Sequence, residues 1–218
     1  QYIIKKLYGT LVITVGDKEV DLGGEWPSVS FRDLILQYSN IDINEYNTRE
    51  TLLQKIYDEK IEIDCDTPLE NLGFGNLVDQ LYKKVARPNV VNPIFLTEHP
   101  ISLSPLARAN DDNPEITDRF QLIINGAEII NAYSELVDPQ EQERRLEVQA
   151  ALKADGDEEA MPMDHEYISA MEVGMPPISG WGMGIDRVVQ LLTNADNIKD
   201  VVMFPLMRPL NYENKDSE

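Results

Sequence analysis

The chain has 218 residues, 39 of them acidic and 19 basic, for a formal net charge of −20, and 42% are hydrophobic. That apolar content supports one large domain or two small ones with a real core. No run approaches the roughly 18 to 20 apolar residues of a membrane span, and the N-terminus lacks a signal-peptide pattern. A surface this acidic repels phosphate backbones over about a Debye length, ~8 Å at physiological salt, so the main grip on any nucleic acid lies elsewhere. Cys65 is the only cysteine, which excludes an intrachain disulfide and makes a reducing, cytoplasmic setting the expectation. With only His99 and His165 beside it, the ligands for a Cys/His zinc site are too few.

The opening QYIIKKLYG reads as the end of a helix whose start is missing, and the chain as the C-terminal part of a longer protein. LVITV and EVDL flank Gly16, Asp17 and Lys18, a short hairpin with glycine in its turn. Ser30 with Asp33 three residues on predicts a capped helix from Phe31 to about Tyr38. Trp26 beside it is a core aromatic. Leu52, Leu53, Ile56 and Tyr57 predict a helix between Asn47 and Lys60, capped by Asn47 or Thr48. Leu77, Leu81 and Val85 predict another over Asn76 to Val85. These helices make residues of about 31–87 a small helical insertion with a solvated charged face.

From residue 88 the pattern changes. Ile94 to Thr97 reads as a short buried strand between proline-marked segments, and ARANDDNPEITD as a surface loop. His99 beside Glu98 raises a catalytic pair, although a lone loop histidine is more often merely solvated. Asp138 and Pro139 predict the start of a helix that runs to about Ala154. GDEEAMPM follows as an acidic loop, and Asp164 caps a short helix from about His165 to Val173.

The stretch DRFQLIINGAEIINAYSEL carries most of the chemistry. Asn125 and Gly126 between two apolar runs predict a two-residue type I′ hairpin. Asn131, Tyr133 and Glu135 alternate after the turn, so they share one strand face, a poor core face but a suitable one for a small cationic ligand. In a regular hairpin Ile123 faces Glu128 and Gln121 faces Ile130, which turns Gln121 and Glu128 the same way. Asn131, Tyr133 and Glu135 then have the opposite parity from Glu128. A single site containing all of them requires a β-bulge between Glu128 and Asn131.

In ISGWGMGIDRVVQLLT, Gly180, Gly182 and Gly184 alternate along an extended stretch before a helix from about Ile185. Such a strand has one bare face, against which either a flat ring or a neighbouring backbone can lie. Arg187 sits in the first turn of that helix. Neither a dinucleotide-loop nor a P-loop spacing is present.

SPLAR with NPEITDRF, the hairpin NGAEIINAYSELVDPQEQERR, ADGDEEAM, and GWGMGIDRVVQLLTNADNIKDVVMFPLMRP together resemble the C-terminal part of the catalytic domain of class II lysyl-tRNA synthetases, closely over roughly Leu77 to Pro209. The resemblance implies an α+β fold, an antiparallel sheet flanked by helices, with residues 88–218 as the sheet core carrying motif 3. It implies activation of lysine with ATP and Mg²⁺ to lysyl-adenylate, then transfer to tRNA(Lys), in a homodimer. By similarity Arg187 is the motif 3 arginine that contacts ATP. Gly180, Gly182 and Gly184 floor the adenine and amino-acid site, Glu135 pairs with the lysine ammonium, Tyr133 lines the aliphatic stem, and Asn131 makes a polar contact to the substrate. Glu128 matches a metal-binding glutamate near ATP. Its usual partner is also a glutamate, and here that position is Gln121. Motifs 1 and 2 and the anticodon-binding domain have no match in these residues, so the isolated piece is expected to be inactive. The alternatives are a paralogue that lysylates a protein such as elongation factor P, and a non-catalytic module derived from the synthetase fold.

Overall fold

The computed structural model describes residues 1–206; the end of the last matching motif, from Met207 to Pro209, lies outside them. Helix α1 (Tyr2–Tyr8) closes on Gly9, whose φ of 72° supplies the left-handed cap that a Cβ would disfavour. Strands β1 (Val12–Val15) and β2 (Lys18–Asp21) form a separate two-stranded antiparallel ribbon. Lys18 pairs with Val15, so the turn is the two residues Gly16 and Asp17, one shorter than the sequence suggests.

The main sheet has five strands in the order β3 (Ser28–Ser30), β4 (Ile94–Pro100), β5 (Ile116–Ile124), β6 (Ala127–Ser134) and β7 (Ser179–Met183). Only β3 against β4 is parallel; the other three pairings are antiparallel. The architecture is thus α+β, an antiparallel sheet flanked by helices.

The helices form where local chemistry directs them. The Ser30 hydroxyl accepts from the Asp33 amide at 3.0 Å and opens α2 (Phe31–Ser39). Thr48 does the same for α3 (Arg49–Asp58). Helix α4 (Phe74–Val85) starts two residues earlier than its apolar stripe predicts, because its cap is borrowed from far along the chain. The Asp157 carboxylate accepts from the Gly73 amide at 2.7 Å and from the Asn76 side chain at 2.8 Å. The acidic loop is therefore not merely solvated at this residue, which is fully buried. Two glycines let α4 dock: a Cβ on Gly75 would lie 2.4 Å from the Ser102 carbonyl oxygen, and one on Gly73 2.6 Å from a Leu152 methyl.

Two cores hold the sheet. On one face α2, α3 and α4 pack with Leu96 and Ile123. On the other, Leu122, Ile124 and Ile129 meet the β1–β2 ribbon and Leu191 of α7 (Ile185–Thr193). Trp26 joins this second core and tilts against Phe95, in keeping with its reading as a core aromatic. A third, smaller cluster joins α5 (Pro139–Ala154) to α6 (His165–Glu172) through Leu146, Ile168 and Met171. No helix among the described residues is long and apolar enough to cross a membrane.

β4 runs three residues past the expected strand, and this changes the reading of His99. The residue is not in a loop: its side chain is fully buried between β5 and Phe31. Glu98 is exposed and takes a left-handed φ of 55° at a register shift, so the two do not form a pair.

Candidate active-site cleft

The hairpin turn sets the site. Asn125 and Gly126 have φ of 47° and 71°, the positive pair a type I′ turn demands, and Ile124 pairs with Ala127 directly across it. Ile123 pairs with Glu128, but the next rung joins Leu122 to Ile130, leaving Ile129 as an extra residue. This is the bulge that strand parity requires. It moves Gln121 from the regular partner, Ile130, to Asn131. Gln121, Glu128, Asn131 and Tyr133 consequently share one face.

The glycines lie beside those polar residues. Asn131 pairs with Gly182 and Tyr133 with Gly180, so each polar side chain has a bare neighbour on the adjacent strand. Glu135 follows β6, its amide donating to the Ile178 carbonyl at 3.0 Å. A Cβ on Gly180 would come within 3.1 Å of Glu135 Oε1, whereas one on Gly182 would meet nothing within 4 Å. The close-packing reading of the glycine strand therefore fails at Gly182, where the bare face opens on free space. Glu128, Asn131, Tyr133, Glu135, the three glycines and Arg187 line one cleft of about 550 Å³. Trp181 and Met183 are also part of its lining.

Burial raises the Glu135 carboxyl above the ordinary carboxylate range. Burial also raises the Tyr133 phenol, with the Glu135 charge adding to it. Tyr167 of α6 is raised by burial and then by Glu135 and Tyr133, so α6 contributes a phenol near the same end. At the other end Arg187 Nη1 donates to the Glu128 carbonyl at 2.8 Å and lies 3.9 Å from its carboxylate.

Gln121 stands behind this corner, in an adjoining cavity of about 220 Å³ that shares Glu128 with the cleft. Its Nε2 donates to Glu128 Oε2 at 2.6 Å, and its Oε1 lies 3.2 Å from His99 Nε2. A carboxylate accepts only, so the amide orientation follows from Glu128, and His99 must carry its proton on Nε2. Burial, with the Arg119 charge second, lowers the His99 pKa to about 3, which keeps the ring neutral. Among the described residues no group of three or more His, Cys, Asp or Glu is placed to hold a metal ion.

Arg119 was not singled out by the sequence, although its parity matches Gln121. It is opposite Tyr133 in the ladder, and its Nε donates to Asn131 Oδ1 at 3.0 Å.

Residues 1–208 match the family described as tRNA synthetases class II (D, K and N). The chain belongs to this class II synthetase family. Among curated relatives it is 42% identical over 215 residues to the lysine–tRNA ligase of Thermosipho africanus, covering 99% of this chain and 41% of that protein. It is 40% identical over 212 residues to the enzyme of the same name from Enterobacter sp., covering 95% and 40%. For that of Fervidobacterium nodosum the identity is 41% over 208 residues, covering 95% and 39%. The chain thus spans about two-fifths of the length of these class II relatives.

Proposed function

We propose that this chain supplies the lysine-reading and part of the ATP-contacting surface of a lysine–tRNA ligase, which activates lysine with ATP to lysyl-adenylate and transfers it to tRNA(Lys). The observation that carries the reading is the opposition of Asn131 and Tyr133 to the bare positions Gly182 and Gly180, with Glu135 beyond them. Glu135 takes the substrate ammonium; an uncharged side chain there would leave a partly desolvated carboxylate unpaired. Tyr133 packs along the methylene stem, Asn131 meets the polar end, and Gly180 and Gly182 leave room for the substrate backbone. Gly184 and Arg187 meet ATP, the guanidinium stabilising charge that builds on the phosphates.

Glu128 would hold Mg²⁺ at this corner through Oε1, which Gln121 does not engage and which lies 3.9 Å from Arg187 Nη1. The Gln121 oxygen faces His99, so as oriented it is not a second ligand. Bound Mg²⁺ would neutralise phosphate charge, with water and phosphate oxygens completing its shell. tRNA(Lys) as acceptor, rather than a protein, is supported by the name shared by the relatives. A homodimer and a cytoplasmic setting belong to the same reading. Calorimetry with L-lysine and with an isosteric analogue lacking the ε-ammonium tests it: binding of the first only is expected, and equal binding of both would refute it. Lysine-dependent pyrophosphate exchange, expected of the full-length protein and not of the 218-residue chain alone, tests the reaction.

A further inference from the structure

The Asn131 side chain has two chemically opposite ends, and Arg119 settles which one the cleft receives. A guanidinium has five donors and no acceptor, so the Asn131 atom that Arg119 Nε approaches at 3.0 Å is the amide oxygen. Arg119 is itself fixed from behind: its Nη1 donates to Ser104 Oγ at 2.9 Å and, at 3.4 Å, to the Leu103 carbonyl. Ser104 is buried, so this anchor is part of the packed fold. What Asn131 retains for the cleft is its NH₂ group, which donates to no protein acceptor among the described residues.

We propose that Arg119 is a positioning residue for substrate selection: it makes Asn131 an obligate donor, so that this end of the cleft reads the carboxylate of an α-amino acid. The inference rests on the lysine reading and deepens it. The cleft then has an acceptor-only end, Glu135, and a donor-only end, Asn131. Asn131 lies in β6 and Glu135 just past its end, four residues on, so the pair reads the polarity of its ligand at two places. Cadaverine keeps both ammonium groups of lysine but offers no acceptor to the Asn131 NH₂ group.

The test compares L-lysine with cadaverine, which is lysine without its carboxylate, by calorimetry on the protein. The unsubstituted protein is expected to bind lysine at least tenfold more tightly than cadaverine. In Arg119→Met that ratio is expected to fall about tenfold through loss of lysine affinity, with cadaverine binding little changed, and Arg119→Lys is expected to restore less than half of the loss. Asn131→Asp keeps the acceptor toward Arg119 but replaces the donor with a charged oxygen. Its lysine affinity is expected to fall more than tenfold while cadaverine binds as well or better, and this variant decides the matter if Arg119→Met does not fold. Equal weakening of lysine and cadaverine in the substituted proteins, or an unchanged ratio, overturns the role of Arg119 and leaves the lysine site standing. Failure of the unsubstituted protein to bind lysine overturns both.

Discussion

The Gln121 amide donates to Glu128 Oε2 at 2.6 Å, so the residue in the expected second-acid position acts as a hydrogen-bond donor to the first. Gln121→Glu would set two carboxylates face to face. Without a divalent cation one of them must hold a proton or separate, and stability is expected to fall by about 1 to 3 kcal/mol. Mg²⁺ or Mn²⁺ would relieve the repulsion. Thermal unfolding with and without millimolar Mg²⁺ should therefore show a larger metal-induced rise in Tm for the variant, and equal rises in both proteins would count against the described corner.

Glu135 supplies a pH test. Its folded-state pKa is raised by burial, so the folded protein holds this proton more tightly than the unfolded chain does. The destabilising effect of ionised Glu135 is absent below the ordinary glutamate range and develops as pH rises through the raised pKa. On the proposed role of Glu135, lysine binding is expected to run the other way, lost as pH falls through that same value, because only the carboxylate pairs with the ammonium. Glu135→Gln is expected to cost lysine binding about 2 to 5 kcal/mol and to remove this acid limb. Calorimetric titrations between pH 4 and 8 check both.

Gly182 and Gly180 separate ligand space from packing. An alanine methyl at Gly182 meets no protein atom within 4 Å, so Gly182→Ala should unfold at the same temperature as the unsubstituted protein and yet lose lysine or ATP binding at least tenfold. At Gly180 the methyl would stand 3.1 Å from Glu135 Oε1 and displace the carboxylate itself. A Gly182→Ala protein that bound both ligands normally would show that the bare face is not ligand space.

Asp157 joins the acidic loop to the start of α4 through the Gly73 amide and the Asn76 side chain, and its other oxygen accepts from the Glu159 amide at 3.1 Å. Asp157→Ala leaves a buried backbone donor without a partner and a cavity beside it, a loss of roughly 2 to 4 kcal/mol. Asp157→Asn, which keeps the shape and an acceptor, should lose about half as much. Urea unfolding of the two variants gives the comparison; equal stability of the alanine variant and the parent would rule out the cap.

His99 adds a second pH dependence. Its folded pKa of about 3 lies below the ordinary 6.5, so the folded state binds this proton more weakly than the unfolded state. Stability should fall as pH drops below about 6.5 and stop falling on this account only below about 3. In His99→Phe the dependence of the urea midpoint on pH between 4 and 6 is expected to be shallower by nearly one proton.

What could be read from the residues alone was local or periodic. Ser30, Thr48, Asp138 and Asp164 cap the helices that follow them because a cap needs only a side chain and an amide two or three residues on. Asn125–Gly126 marks its own turn. A bulge between Glu128 and Asn131 was also legible, as the way to bring residues of opposite parity to one site, although its place at Ile129 was not. The extension of β4, the burial of His99 and the hold of Arg119 on Asn131 were not, since each depends on a neighbour that folding brings from 12 or more residues away. The cap from Asp157 to Gly73 spans 84 residues, and no short pattern announces it.

The extra residue Ile129 also bears on how the hairpin finds its register. A regular ladder from the same turn would carry Asn131, Tyr133 and Glu135 to the face that packs against the β1–β2 ribbon and α7. There an amide, a phenol and a carboxylate would replace apolar groups, while Ile130 would be turned out of that core. Misregistered pairing is therefore penalised by the very side chains assigned to reading lysine. Substitutions that make this strand more apolar, as a change of specificity would, remove that penalty, so altered-specificity variants are expected to refold more slowly or aggregate before they fail to bind.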